Sequence, residues 1–256
     1  MFKAVVSDLD GTLLNAEHKV SEFTRETVEL LLKKGIKFYI ATGRNYLGAK
    51  EAMDELGVKV PLITSHGSVA FDENGNEIFS NNLKREYLDK VLDIDYKSFG
   101  KDIIITGYSG PNWFVTEDLR EYFYNKKPDR TRYPKQITPE EFKKHNFTKI
   151  FFLGEDHDEL LELENEIRKA VGDGNISLLF ANEGSLEVFS ANCNKAKAAE
   201  VLLERDGLTL KDAVSFGDGL NDYELITETG LGFAMGNSIY LLLEKLTDTE
   251  VIDRKS

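Results

Sequence analysis

Short apolar runs alternate with amphipathic stretches at both ends of the chain. Residues 2–7 read as a strand built on Ala4-Val5-Val6. Residues 21–34 read as a helix, with Ser21 placed to cap it, Val28, Leu31 and Leu32 on one face, and Gly35 as its stop. A second strand over 36–41 and a second helix over 46–56, closed by Gly57, are followed by a third strand over 61–64. The last quarter repeats the rhythm: helix 196–205, strand 213–216, helix 222–228, strand 231–234. Strand–helix alternation of this kind predicts right-handed crossovers and a parallel, Rossmann-like α/β sheet with helices on both faces.

The middle of the chain has a different pattern. Strands over 103–108 and 113–116 flank Ser109-Gly110-Pro111-Asn112, a hairpin signal. A strand over 148–153 and a helix over 158–171 lead to a second hairpin, 176–181 and 186–189, turning at Asn182-Glu183-Gly184-Ser185. Antiparallel pairs with a helix predict an α+β module inserted into the α/β core. The expected organisation is a core of residues 1–82 and 188–256 with an inserted domain at 83–187. Trp113, in the first hairpin, reads as core or as a platform for a substrate ring.

Composition narrows the partners. The chain has 256 residues, 41% of them hydrophobic, enough for a sizeable core. Its 32 basic and 45 acidic residues give a net charge of −13, which argues against nucleic acid as a partner. It leaves room for a small anion in a locally positive pocket. No apolar run has the length of a membrane span, and Asp8 and Asp10 lie too early for a cleavable leader, so no membrane partner is expected. The single Cys193 has no internal disulfide partner and suits the cytoplasm.

The candidate chemistry collects where the core strands end. Asp8 and Asp10, two residues apart at the exit of the first strand, project to the same side and converge on one centre. Ligands of an open parallel sheet bind beyond the carboxyl ends of its strands. The second strand delivers Thr42-Gly43-Arg44 there, the third delivers Ser65-His66-Gly67, and the strand at 213–216 delivers Gly217-Asp218-Gly219-Leu220-Asn221-Asp222. Clustered carboxylates form a hard-cation site, for which Mg2+ is the natural ion when phosphate completes the shell. Thr42, Gly43 and Asn221 offer donors to phosphate oxygens. Lys195 or Lys197, at the start of the 196–205 helix, supplies the positive charge that a phosphoryl group requires. A calcium loop through Asp8, Asp10, Gly11 and Glu17 fails because Val6 would occupy its first ligand position.

The segments Asp8-Leu9-Asp10-Gly11-Thr12-Leu13, Ala41-Thr42-Gly43-Arg44, the Lys195 region and Gly217-Asp218-Gly219-Leu220-Asn221-Asp222 resemble, in order, the four motifs of the haloacid dehalogenase superfamily. The likeness is to its Cof-type phosphatases, which carry a large α+β cap between the second and third motifs; Ala234-Met235-Gly236-Asn237 resembles a late signature of that subgroup. Two departures stand out: Asn194-Lys195-Ala196 replaces the usual Ser-Lys-Gly, and His66-Gly67-Ser68 replaces Asn-Gly-Ala.

The resemblance implies an α/β core of the dehalogenase type with an inserted cap, and a Mg2+-dependent phosphatase acting on small phosphorylated metabolites such as sugar phosphates or pyridoxal phosphate. It implies Asp8 as the nucleophile that becomes an aspartyl-phosphate, and Asp10 as general acid/base and metal ligand through its carbonyl. Asp218 becomes a direct metal ligand, with Asp222 behind it or on a water that bridges to the ion. The Leu9 amide, Thr42, Gly43, Lys195 and Asn221 hold phosphate, and Arg44, Asn45 and His66 face the substrate. A monomer or weak homodimer is expected. Two other readings use the same residues. A phosphomutase would return the phosphoryl group to a sugar, with Arg130 and Arg132 available to hold a bisphosphate. A phosphate-sensing module would lack turnover; Asp10 and the large insert argue against it.

Overall fold

The computed structural model of this chain describes residues 2–110, 112–119, 134–247 and 249–253. Pro111, Arg130 and Arg132, singled out above, lie outside the described residues. The chain starts with β1 (Ala4–Ser7), a wide turn over Leu9–Leu13, α1 (Glu22–Lys33), β2 (Lys37–Ala41), α2 (Tyr46–Leu56) and β3 (Leu62–Thr64). β4 (Val69–Phe71) and β5 (Glu77–Ser80) then form an antiparallel pair. Next come α3 (Arg85–Leu92), β6 (Ile104–Ser109), β7 (Asn112–Val115), β8 (Lys135–Gln136), α4 (Pro139–Phe142), β9 (Lys149–Leu153), α5 (His157–Val171), β10 (Ile176–Asn182) and β11 (Ser185–Ser190). The chain ends with α6 (Lys195–Arg205), β12 (Ala213–Gly217), α7 (Tyr223–Glu228), β13 (Leu231–Met235), α8 (Tyr240–Lys245) and β14 (Glu250–Ile252).

Two compact units result: Met1–Ser80 with Cys193–Ser256, and Asn81–Asn192. The second unit thus reaches beyond the 83–187 span read from sequence. At its far end this follows from β11, which continues to Ser190 while pairing with β10 and β9.

In the first unit the strand order is β14-β13-β12-β1-β2-β3-β4-β5 among the described residues. The pairings from β14 to β3 are parallel, and β4 and β5 add an antiparallel edge. β1 is central, with Ser7 opposite both Ile40 and Phe216. The chain steps from β1 through β2 to β3 on one side, and from β12 through β13 to β14 on the other. The reversal between β1 and β12 opens a crevice at their carboxyl ends. β2 shows why this sheet is buried on both faces. Phe38 and Ile40 pack with Val28, Ala52 and Leu56, whereas Tyr39 and Ala41 pack with Ala198, Leu202 and Leu225.

Local chemistry sets the helix starts that meet this crevice. Asn45 Oδ1 accepts from the Gly48 amide at 2.9 Å to begin α2, and left-handed Gly57 ends it. Asn194 Oδ1 accepts from the Lys197 amide at 2.8 Å to begin α6.

In the second unit, strands in the order β10-β11-β9-β6-β7-β8 have one face covered by α3 and α5, through Leu88, Val91, Leu160, Leu163 and Ile167. Trp113 packs in a cluster with Phe151, Val115 and Leu119 and donates from Nε1 to Thr106 Oγ1 at 2.6 Å. No helix among the described residues is long and apolar enough to cross a membrane.

The turn after β3 fixes the start of α6. Ser65, His66 and Gly67 are left-handed in succession, at φ of 49°, 57° and 93°. A Cβ on Gly67 would stand 2.2 Å from the Asn194 carbonyl oxygen. Gly35 has a similar φ of 77° but open space around it. Gly35→Ala should therefore cost about 1 kcal/mol through backbone strain alone. Gly67→Ala adds a forced separation from α6 and should cost about 3 kcal/mol in all. Urea unfolding of the two variants checks this; equal losses would show that the approach to Asn194 is not a constraint.

Candidate active site

Asp8 follows β1 and is buried; its amide donates to the Phe216 carbonyl at 3.0 Å, which ties the end of β1 to β12. Asp218 and Asp222 follow β12. A carboxylate oxygen from each of Asp8, Asp218 and Asp222 lies within 4.8 Å of the others. The fully buried Lys195, first residue of α6, donates from Nζ to Asp8 Oδ1 and to Asp222 Oδ1, both at 2.5 Å. Lys197, the rival lysine, is exposed. Successive helical residues rotate by about 100°, so positions 195 and 197 face nearly opposite ways.

Each carboxylate has its own bonding. The amides of Asp218 and Gly219 donate to Asp222 Oδ2 at 3.1 and 3.0 Å, so both Asp222 oxygens are engaged. Thr12 Oγ1 donates to Asp218 Oδ1 at 3.0 Å, and Asn237 Nδ2 donates to the Gly11 carbonyl at 3.0 Å beside Asp218 Oδ2. Burial pushes the Asp8 carboxyl well above the usual range, and the nearby Asp222 adds to this against Lys195. Burial and the Asp222 charge raise Asp218 as well. For Lys195, burial opposes the ammonium, but Asp222 and Asp8 outweigh it and hold its pKa above the ordinary lysine value. The corner therefore has more carboxylate than cation, and its donors are all oxygen, which suits a hard divalent ion.

The remaining expected residues fall in two places. Leu9 buries its side chain among Leu13, Val28 and Leu56. Thr42 Oγ1 accepts from the Arg44 amide at 3.1 Å, and the Thr42 carbonyl accepts from the His66 amide at 3.1 Å. The His66 ring lies under Gly43, where a Cβ would stand 2.4 Å from Cε1, and its Nδ1 is 3.1 Å from Asn221 Nδ2. His66 thus joins the two segments that carry the candidate phosphate donors. Asn45 is the N-cap of α2. Asp10 stands outside the three-carboxylate cluster, with its carboxylate on the Arg44 guanidinium. Thr12 and Asn237 were not assigned roles from the sequence; the pattern signal for each was present, in the residues that close Asp8-Leu9-Asp10-Gly11-Thr12 and Ala234-Met235-Gly236-Asn237.

A family model of haloacid dehalogenase-like hydrolases matches residues 5–252. The chain belongs to that family of hydrolases, and it is a phosphatase within it. A Buchnera aphidicola protein provisionally named a phosphatase is 36% identical, the match covering 98% of this chain and 93% of that one. An HMP-PP phosphatase of an Enterobacter species is 31% identical over 98% of this chain and 90% of its own length. Among solved structures, a haloacid dehalogenase-like hydrolase from Bacteroides thetaiotaomicron is 25% identical with a TM-score of 0.76, covering 99% of this chain and 94% of that one. A Thermotoga maritima protein, 23% identical over 99% of this chain and 92% of its own, shares the fold with a TM-score of 0.81.

Removing the Lys195 ammonium leaves Asp8 and Asp222 buried without it. Lys195→Met should cost about 3–5 kcal/mol in urea unfolding. Adding Asp8→Asn to that variant should recover part of the loss, because one buried charge goes with it. A double variant no more stable than Lys195→Met would refute the charge-pairing account.

Proposed function

We propose that this phosphatase hydrolyses small phosphorylated metabolites through an aspartyl-phosphate on Asp8, with Mg2+ as its ion. The observation that carries this reading is the buried Lys195 ammonium bonded to Asp8 inside a cluster of three carboxylates. Asp8, Asp218 and the carbonyl of Asp10 would hold the ion, with Asp222 behind them. The bound ion supplies charge neutralisation for the phosphoryl group and the nucleophile.

The chain's own residues do the rest. An Asp8 carboxylate oxygen bonds to phosphorus as the ester P–O bond breaks, and the leaving alkoxide takes a proton from Asp10. Asp10 then accepts a proton from the water that attacks the acyl phosphate, releasing inorganic phosphate and regenerating Asp8. Lys195 offsets charge on the transferring group, and Thr42, Gly43, Asn221 and the Leu9 amide orient its oxygens. Placing the nucleophile at a buried strand end keeps it out of competing hydrogen bonds with bulk water.

The substrate is a phosphate ester or anhydride of a small metabolite. Sugar phosphates, pyridoxal phosphate and HMP-PP, the compound in the name of the Enterobacter relative, form the first panel to assay. Asp8→Asn keeps the shape and removes the nucleophile's charge, so turnover should fall by about 10⁴-fold or more. Retained activity in a folded Asp8→Asn protein would end the aspartyl-phosphate reading.

The raised Asp8 and Asp218 carboxyls set a pH dependence. Groups whose folded pKa is raised hold extra protons in the native state, so their stabilising contribution is present at low pH and lost as pH rises through the folded values. A divalent ion competes with those same protons. The rise in melting temperature on adding MgCl2 should therefore be larger at neutral pH than at pH 5, and smaller at both in Asp218→Asn. Equal shifts at the two pH values would take these carboxylates out of the ion's shell.

A further inference from the structure

Asp10 stands on backbone that no regular element holds. Its φ and ψ of −81° and 125° depart from helix geometry inside the wide turn over Leu9–Leu13, and Gly11 beside it is left-handed. Its side chain is 43% exposed. Nothing in β1 fixes the direction of such a carboxylate, yet a proton donor works only within a narrow range of positions.

Arg44 supplies that constraint. Its Nε donates to Asp10 Oδ2 at 2.7 Å and its Nη2 to Asp10 Oδ1 at 2.5 Å. Two parallel bonds fix both the position and the plane of the carboxylate. Arg44 is itself anchored at several points: its amide donates to Thr42 Oγ1, its carbonyl accepts from the Ser65 amide at 2.8 Å, and Nη1 is directed at the Gly48 carbonyl. A half-exposed ion pair of this kind contributes little to stability, so its chief physical consequence is orientation. His18 is a weaker partner: its Nδ1 is 3.7 Å from Asp10 Oδ1, and its side chain is largely exposed.

The turn that carries Arg44 also carries Thr42 and Gly43. We infer that Arg44 is a positioning residue, aiming the Asp10 carboxylate relative to the Thr42–Gly43 phosphate cradle instead of gripping substrate. This rests on the reading of Asp10 as acid/base. With Nε and Nη2 both on Asp10, the fork that would grip a phosphate is already filled.

The test compares Arg44→Ala, Arg44→Lys, Asp10→Asn and the double variant Arg44→Ala/Asp10→Asn on an alkyl phosphate and on an aryl phosphate, whose leaving group needs little protonation. Arg44→Ala should lower kcat on the alkyl phosphate by about 100-fold with KM little changed, and much less on the aryl phosphate. Arg44→Lys keeps the charge without the fork and should restore only part of kcat; it also carries the test if the alanine variant fails to fold. In the Asp10→Asn background, Arg44→Ala should add almost nothing. A rise in KM on both substrates, with unchanged kcat and leaving-group preference, would overturn the inference and make Arg44 a substrate ligand. The two possible failures separate cleanly. If Asp10→Asn loses equally on both substrates, the acid/base reading falls and the positioning role falls with it. If Asp10→Asn is selective for the alkyl ester and Arg44→Ala is not, the positioning role alone falls.

Discussion

One ammonium group organises the carboxylate cluster of this molecule. The Nζ of Lys195 has no exposure and two carboxylates at 2.5 Å. Isolated buried charges are prohibitively costly, and a buried pair is tolerated only when its remaining hydrogen-bonding capacity is filled. Here the filling comes from the backbone after β12, whose amides saturate the second oxygen of Asp222. Lys195 can stand there because α6 begins at that residue and because the turn after β3 meets the chain at Asn194 without a side chain in between. The left-handed turn, the helix start and the carboxylate cluster are therefore one physical arrangement.

The surplus of carboxylate is what turns that arrangement toward chemistry. A corner built for stability alone would balance its charges, whereas this one holds Asp8 and Asp218 with raised pKa values beside a single lysine. Functional sites are where such imbalance concentrates. The consecutive left-handed residues Ser65 and His66 fit the same pattern, since non-glycine residues in that region persist only when their surroundings enforce it. They bring an imidazole between Gly43 and Asn221, segments delivered by different strands.

Much of this was legible in the sequence, for identifiable reasons. The α2 boundaries follow from Asn45 and Gly57, both strong local signals. Asp8 and Asp218 could be placed because a parallel sheet aligns the ends of its strands. The β4–β5 hairpin was not recognised: Val69–Phe71 is three residues long and buried throughout, so it has no polar alternation to mark it. The choice between Lys195 and Lys197 stayed open because it depends on the first helical residue, the least determined feature of any helix. The engagement of Arg44 with Asp10 joins residues 34 positions apart through tertiary geometry, and no local pattern encodes it.

The pairing of Lys195 with Asp8 spans 187 positions along the chain. During synthesis, β1 emerges long before β12, its neighbour in the sheet, and Asp8 has no counter-charge until the ribosome has passed residue 195. The Asn81–Asn192 segment has an apolar core of its own and is continuous, so it can collapse independently while the sheet waits. That collapse shortens the effective loop that must close before α6 and β12 dock, lowering the entropic barrier. The insertion point therefore makes the charge cluster a late product of synthesis, since Lys195, Asp218 and Asp222 all follow the inserted segment.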